Sequence, residues 1–97
     1  MNVIGGPNMR TGFETFLIGR GYKIETPAGH PSTIYDYIKR IDCVCKWENL
    51  SWESLATKIA VTLPEYDVGG PKQHLGERSH RAVINALKKF AEFVENR

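Results

Sequence analysis

The sequence predicts an all-α protein, a single small four-helix bundle, and three observations lead to this fold class. Apolar residues recur at intervals of three and four in four separate stretches, which is the spacing of one buried helix face. Capping residues, glycine or proline bound these stretches. The only β-like runs, residues 22–26 and 59–63, are short and form no clear hairpin pair.

The length and composition fit one globular domain. The chain has 97 residues, of which 41% are hydrophobic and 25% charged, which is typical of globular proteins with a buried core. No apolar run approaches the roughly 18 to 20 residues that a membrane-spanning helix needs. The first ten residues lack the basic and apolar regions of a secretory signal. We therefore expect a cytoplasmic protein that is not bound to a membrane.

The first helix is predicted to begin at Thr11, after a flexible lead-in over residues 1–10 that contains Gly-Gly-Pro. Thr11 and Glu14 fit the capping box, in which the two side chains satisfy free amide groups at a helix start. Gly21 is the expected C-terminal stop. The apolar stripe of this helix is Phe13, Phe16 and Leu17. The domain proper is then residues 11–97.

The second helix follows a loop with two prolines and has Ser32 as its expected N-cap. Its apolar face comprises Ile34, Ile38, Ile41 and Cys45, flanked by Tyr37 and Val44. Cys43 and Cys45 point about 200° apart on a helix, which prevents a disulfide between them. We expect two reduced thiols, with Cys45 in the core and Cys43 on the surface.

The third and fourth helices each begin at a serine cap. Ser51 precedes a stripe of Trp52, Leu55, Ala56 and Ile59 in a helix that should stop or kink near Pro64. Residues 68–71, Val-Gly-Gly-Pro, are a clear helix breaker. Ser79 is the expected cap of the last helix, whose stripe is Val83, Leu87, Phe90 and Val94, with Ala86 and Phe93 beside it.

No combination of residues points to catalysis or to a metal. The candidates for a nucleophile and base are two thiols and three histidines, and His30 lies in a Pro/Gly loop that cannot be placed near Cys43. A zinc site would need local pairing such as C-x2-C, whereas C-x-C here lies inside a helix. Residues 69–72 lack the spacing of a phosphate-binding loop. We predict no catalytic residue, metal or cofactor; a Cys/His pair remains the alternative.

The charge distribution suggests nucleic acid. Residues 72–97 carry six Lys/Arg against three acids, although the formal net charge of the chain is only +2. On the last helix Arg81, Asn85 and Lys88 lie opposite the apolar stripe, where phosphates could bind. The outward side of the second helix mixes Lys39, Arg40 and Lys46 with Tyr35 and Trp47. Three acids make the net charge of that helix zero, which favours an ordinary solvated face there, and a solvated face is also the alternative on the last helix.

Two stretches resemble a known family. Thr33-x3-Tyr37-x3-Ile41 at a helix start, and a final helix running from Ser79 to Phe93, look like the N-terminal core-binding domain of tyrosine recombinases and phage integrases. The resemblance spans about residues 10–95 and implies a SAM-like four-helix bundle that forms one half of a clamp around the DNA duplex. It implies backbone or groove contacts from Lys39, Arg40, Arg81, Asn85 and Lys88.

The family's catalytic domain, with its arginine, histidine and tyrosine set, has no counterpart in this sequence. The first hypothesis is therefore a non-enzymatic protein of phage or mobile-element origin that binds double-stranded DNA. The full set of candidate DNA-binding residues is Lys39, Arg40, Lys46, Arg81, Asn85, Lys88 and Lys89.

The alternative hypothesis is a protein-interaction module that binds a host or phage protein, such as an anti-CRISPR-like inhibitor of a host nuclease. Protein interfaces favour aromatic anchors, which here would be Tyr35, Trp47 and Trp52. A self-associating helical protein is a third possibility, since the sequence leaves the oligomeric state open.

Overall fold

The computed structural model describes residues 9–22 and 33–96, and within these ranges the chain forms five helices and no strand. The helices are α1 (Met9–Gly19), α2 (Thr33–Glu48), α3 (Trp52–Tyr66), α4 (Gln73–Gly76) and α5 (Arg78–Glu95). The prediction of a small all-α bundle is confirmed. The short α4 is additional to the four predicted helices, and the β-like run 59–63 lies inside α3.

Helix α5 lies at the centre of the bundle, where it packs against each of the other four helices. Its apolar stripe follows the predicted 3.6-residue spacing, with Leu87 and Phe90 fully buried. Ile84 is also buried, whereas Val94 is only partly so. Because every element contacts this one helix, α5 and its neighbours share a single core.

An aromatic cluster joins α1, α3 and α5. The ring of Phe13 meets the ring of Phe90 edge to face, with centroids 5.3 Å apart, and Trp52 meets Phe90 in the same way at 5.5 Å. Phe93 lies 5.7 Å from Phe13. Edge-to-face packing sets the positive edge of one ring against the negative face of the next. The cluster fixes α1 and α3 on the same side of α5.

The two ends of α1 differ in how well local signals predicted them. The helix begins at Met9, so the predicted start at Thr11 is wrong, and Thr11 and Glu14 do not form a terminal capping box. Met9 is buried in the core, which explains the earlier start. Residues 1–8 of the predicted lead-in lie outside the described residues. Gly21 has φ +98° and is the predicted left-handed stop.

Helix α2 has the predicted buried face, formed by Ile34, Ile41, Val44 and Cys45, while its expected cap Ser32 lies outside the described residues. Both cysteines are free thiols, and Cys43 is partly buried rather than fully on the surface. Burial, followed by the nearby carboxylates of Asp42 and Glu53, raises the pKa of Cys45 to about 11. The Cys45 thiol is therefore protonated and unreactive at neutral pH.

Helix α3 begins as predicted, because the Ser51 hydroxyl oxygen accepts a hydrogen bond of 3.0 Å from the Ser54 amide. The helix continues through Pro64 and ends at Tyr66, one of the largest fully buried side chains of the protein. The breaker at residues 68–71 is confirmed. A Cβ at Gly76 would collide with the backbone carbonyl of Tyr66, so only glycine lets α4 pack directly on the end of α3.

The start of α5 departs from the predicted serine cap. Ser79, His80 and Arg81 have φ of +55°, +58° and +68°, a short left-handed turn that costs about 1–2 kcal/mol per residue outside glycine. The Arg81 amide donates a hydrogen bond of 3.0 Å to the Glu77 carbonyl. The backbone therefore pairs one of the amide groups that a side-chain cap would otherwise pair. The Ser79 N-cap prediction is therefore wrong.

Candidate nucleic-acid interface

The lysines in the middle of α5 are paired with carboxylates. Lys88 Nζ lies 3.8 Å from Asp67, and Lys89 Nζ lies 3.7 Å from Glu92. A guanidinium nitrogen of Arg20 also lies 3.3 Å from Glu92 Oε1. The Lys88–Asp67 pair is neutral overall, and the single charge of Glu92 is shared between Lys89 and Arg20, so this part of α5 presents less positive charge than its sequence suggests. Lys88 and Lys89 are thus the weaker members of the predicted DNA-binding set.

Six other cations have no carboxylate within 4.0 Å among the residues that the structure describes. One of them, Lys58, lies on α3. The other five lie on α2 and in the first residues of α5, and four of these belong to the predicted set: Lys39, Arg40, Lys46 and Arg81, with Arg78 as the fifth. Asn85 is exposed on the regular part of α5. Most of the unpaired positive charge of the described residues therefore lies on α2 and at the start of α5.

Two cations of α2, Lys39 and Lys46, lie on its outer side, whereas Arg40 is partly buried on its flank. At 100° per residue, Lys39, Cys43 and Lys46 fall within about 60° of one another, opposite the buried residues of the helix. Arg40 and Trp47 lie together on one flank of this line. That flank faces the start of α5, because the Arg78 guanidinium carbon lies 5.8 Å from the centre of the Trp47 ring. The two cationic segments are therefore neighbours in space.

The Trp47 ring lies where these segments meet and is 39% exposed. It stacks on Tyr66, with centroids 6.4 Å apart and an angle of 13° between the planes. Arg78 contacts the same ring by a cation–π interaction. We refer to Trp47, Tyr66 and Arg78 as the Trp47 platform. It joins α2, α3 and α5 at one surface position.

A polar network fixes Tyr66 from below. Its hydroxyl donates to Glu48 Oε2 at 2.7 Å, and Lys72 Nζ donates to the same oxygen at 2.6 Å. Lys72 also lies 3.4 Å from Glu65 and 5.6 Å from the centre of the Tyr66 ring. These contacts hold the tyrosine ring on which Trp47 stacks.

The pKa values in this network keep every group in its ordinary state at neutral pH. Burial raises the pKa of Glu48, but the hydrogen bonds from Lys72 and Tyr66 outweigh it, so the net shift is downward. Burial and the hydrogen bond to Glu48 raise the pKa of Tyr66, and the hydrogen bond to Glu48 raises that of Lys72. The carboxylate, phenol and ammonium are therefore matched structural partners, with none poised for proton transfer.

The three aromatic residues predicted as protein-interface anchors have different surroundings. Tyr35 is 52% exposed beside a cleft of about 470 Å³ between α1 and α2, and Trp47 belongs to the platform. Trp52 is not an exposed anchor. Its ring packs on Phe13 and Phe90, and its indole N–H donates to Asp42 Oδ1 at 2.8 Å. The Trp52 side chain is therefore part of the core packing and is not free to anchor a partner.

Within residues 9–22 and 33–96, no group of three or more histidine, cysteine, aspartate or glutamate side chains is arranged to hold a metal. His30 lies outside the described residues. No helix in the described ranges has the length and apolar character needed to cross a membrane.

Comparisons with protein-family models, curated proteins and solved structures found no match for this chain. The resemblance to the integrase core-binding domain accordingly stays a prediction, and the functional argument rests on the geometry above.

The sequence missed Arg78 and the role of Tyr66. Arg78 was visible as one of the cations of residues 72–97, but its contact with Trp47 depends on how α2 packs beside α5. Tyr66 lies between two acids, so its neighbours in the sequence do not indicate that its ring is buried. Neither contact can be predicted from the spacing of residues in the sequence.

Proposed function

We propose that the protein binds double-stranded DNA without catalysing a reaction, through the outer face of α2 and the start of α5. The observation that carries this proposal is that five of the six cations without a carboxylate within 4.0 Å in the described ranges lie on these two segments: Lys39, Arg40, Lys46, Arg78 and Arg81. An unpaired cation on the surface gains more from a phosphate than one that must first leave its own carboxylate.

The spacing on α2 suits a phosphate backbone. Lys39 and Lys46 are two helical turns apart, about 10 Å along the axis, which corresponds to the rise of about three base pairs. The formal net charge of +2 is small. We therefore expect affinity near the non-specific range, roughly 10⁻⁴ to 10⁻⁶ M at physiological salt.

The resemblance noted from the sequence supports the same proposal. A SAM-like core-binding domain would place its basic helices against the duplex as one half of a clamp. The finer parts of the hypothesis, an integrase-like origin in a phage or mobile element and a cytoplasmic location, belong to this proposal as well.

A salt titration with two matched triple variants tests the proposal. One variant is Lys39→Gln, Lys46→Gln, Arg81→Gln; its control is Arg20→Gln, Lys88→Gln, Lys89→Gln. Both lower the formal net charge by three, but the control removes only cations that already have a carboxylate partner. Fluorescence anisotropy with a labelled random-sequence duplex measures affinity across the salt series.

We expect the first variant to lower the slope of log affinity against log salt by about 3, because each lost phosphate contact contributes about 0.9. The control should stay near wild type. Equal losses in both variants would show that net charge alone governs binding. Binding by the wild type that does not respond to salt, or no binding at low salt, would contradict the proposal.

A protein partner is the second candidate function, including a host nuclease that this chain would inhibit. Tyr35 favours it, because a half-exposed tyrosine beside a cleft lined by Ile34 and Ile38 is a typical interface anchor. Co-sedimentation of a purified nuclease with wild type but not with Tyr35→Ala would support this candidate. Co-sedimentation with both would remove Tyr35 as its anchor.

A further inference from the structure

We infer that the Trp47 platform stacks an unpaired nucleobase, so that the protein binds duplex DNA with a single-stranded tail more tightly than the backbone charge alone explains. This inference rests on the proposed function, because the cations that would hold the phosphates of the tail are those assigned above to the duplex. It names a substrate feature, an exposed base, that phosphate contacts cannot recognise.

The platform presents an aromatic ring that is exposed yet held in place. Trp47 is 39% exposed, while Tyr66 beneath it is 1% exposed and is fixed by its hydrogen bond to Glu48. The two planes differ by only 13°. A ring that is already ordered loses little conformational entropy when a base stacks on it. Base–aromatic stacking contributes about 1–3 kcal/mol per base.

Arg78 can form the second side of a stack. A planar guanidinium stacks on bases as aromatic rings do. Its carbon lies 5.8 Å from the Trp47 centroid, whereas a base between the two needs about 7 Å, two contacts of roughly 3.5 Å. The side chain would therefore move outward by about 1 Å. Arg78 is exposed, and no described carboxylate within 4.0 Å opposes that movement.

The neighbouring charge selects a nucleic acid over a cationic ligand. An aromatic cage for a methylated ammonium needs several open ring faces. Here Tyr66 is closed to solvent, and Lys46, Arg78 and Arg81 lie on the adjoining segments, so a cation would be repelled. A base inside a duplex has both faces covered by its neighbours, so the ring can take only an unpaired one.

The test compares two labelled duplexes with single-stranded tails of equal length, one tail carrying its bases and the other abasic. The phosphate count is the same, so any difference in affinity measures the bases. We expect the wild type to bind the tail with bases about 5 to 150 times more tightly, the fold-change that corresponds to the stacking of one base. Tryptophan fluorescence should also be quenched, and Trp47→Phe should lose the quenching because only Trp52 remains.

Trp47→Leu is the deciding variant, and Trp47→Phe is its matched control. Leu should abolish the preference for the tail with bases and leave the salt slope unchanged, whereas Phe should keep most of the preference because it still stacks. Thermal unfolding of each variant establishes that it is folded at the assay temperature.

The outcomes separate the two proposals. Equal, salt-sensitive binding of both tails by the wild type overturns the stacking inference and leaves the proposed function standing. No binding of either tail at low salt overturns the proposed function and the inference together. A preference that survives in Trp47→Leu shows that the bases bind elsewhere and overturns the assignment to Trp47.

Discussion

The two tryptophans of this chain show that partial exposure does not identify a binding residue. Both side chains are incompletely buried, and both stood out as candidate anchors in the sequence. Trp52 packs on Phe13 and Phe90, and its N–H is bound to Asp42. Among the described residues, Trp47 has one aromatic partner, Tyr66, and one cation–π partner, Arg78. What each ring touches separates the core residue from the candidate site.

The difference arises from position in the bundle. Trp52 is the first residue of α3 and lies beside α1 and α5. The aromatic cluster covers its ring, and Asp42 accepts a hydrogen bond from its indole N–H. Trp47 lies in the last turn of α2, where α3 supplies one buried ring and the start of α5 supplies a charge. The same residue type is therefore structural at one position and available to a ligand at the other.

The largest expected effect comes from truncating the two tryptophans in parallel. Trp52→Ala should lower the free energy of unfolding by about 3–5 kcal/mol, because it empties a site among buried rings. Trp47→Ala should cost about 1–2 kcal/mol, since it removes one stacking contact at the surface. Urea unfolding followed by circular dichroism measures both. Equal losses of unfolding free energy in the two variants would show that Trp47 is a core residue like Trp52.

Local signals in the sequence predicted most of the helices. The buried stripe of α5, the Ser51 cap and the stop at Gly21 each depend on residues that are close in sequence, and each is confirmed. The cap at Ser79 failed although its local pattern was equally good. A left-handed turn and a backbone hydrogen bond from Arg81 replace it, and no local rule predicts that turn.

The candidate site was less predictable because its features depend on contacts between helices. The sequence showed where the cations are but not that Asp67 and Glu92 would pair with Lys88 and Lys89. It did not show that the Tyr66 ring is buried, since that burial depends on the packing of α2 and α4 against the end of α3. Periodicity identifies the outward side of a helix; it does not identify the neighbours of that side.

A smaller effect should come from the support beneath the Trp47 platform. Because the pKa of Glu48 is lower in the folded protein than in the unfolded chain, its contribution is present above the unfolded value, about 4.3, and is lost as pH falls further. Glu48→Gln should cost about 1–2 kcal/mol at pH 7, and a smaller amount near pH 3. Thermal melts at both pH values measure this.

Glu95→Gln is the matched control, since Glu95 is exposed and has no cation within 4.0 Å among the described residues. It should match the wild type at pH 7. A loss at Glu48 that is the same at both pH values would mean that shape, rather than the charged hydrogen bonds, supports Tyr66.

The smallest effect should come from the charge beside Trp52. Asp42 accepts from the Trp52 indole and from Arg10 at 3.0 Å, but the Arg10 pair is about half exposed, so its charge contributes only about 0–0.5 kcal/mol. Asp42→Asn keeps an acceptor for the indole and should cost no more than that, whereas Asp42→Ala leaves the indole N–H unpaired and should cost about 1–2 kcal/mol. Urea unfolding of both variants and of Arg10→Gln separates charge from hydrogen bonding. A cost above about 1 kcal/mol for Asp42→Asn would mean that the carboxylate charge, and not the hydrogen bond, keeps Trp52 in the core.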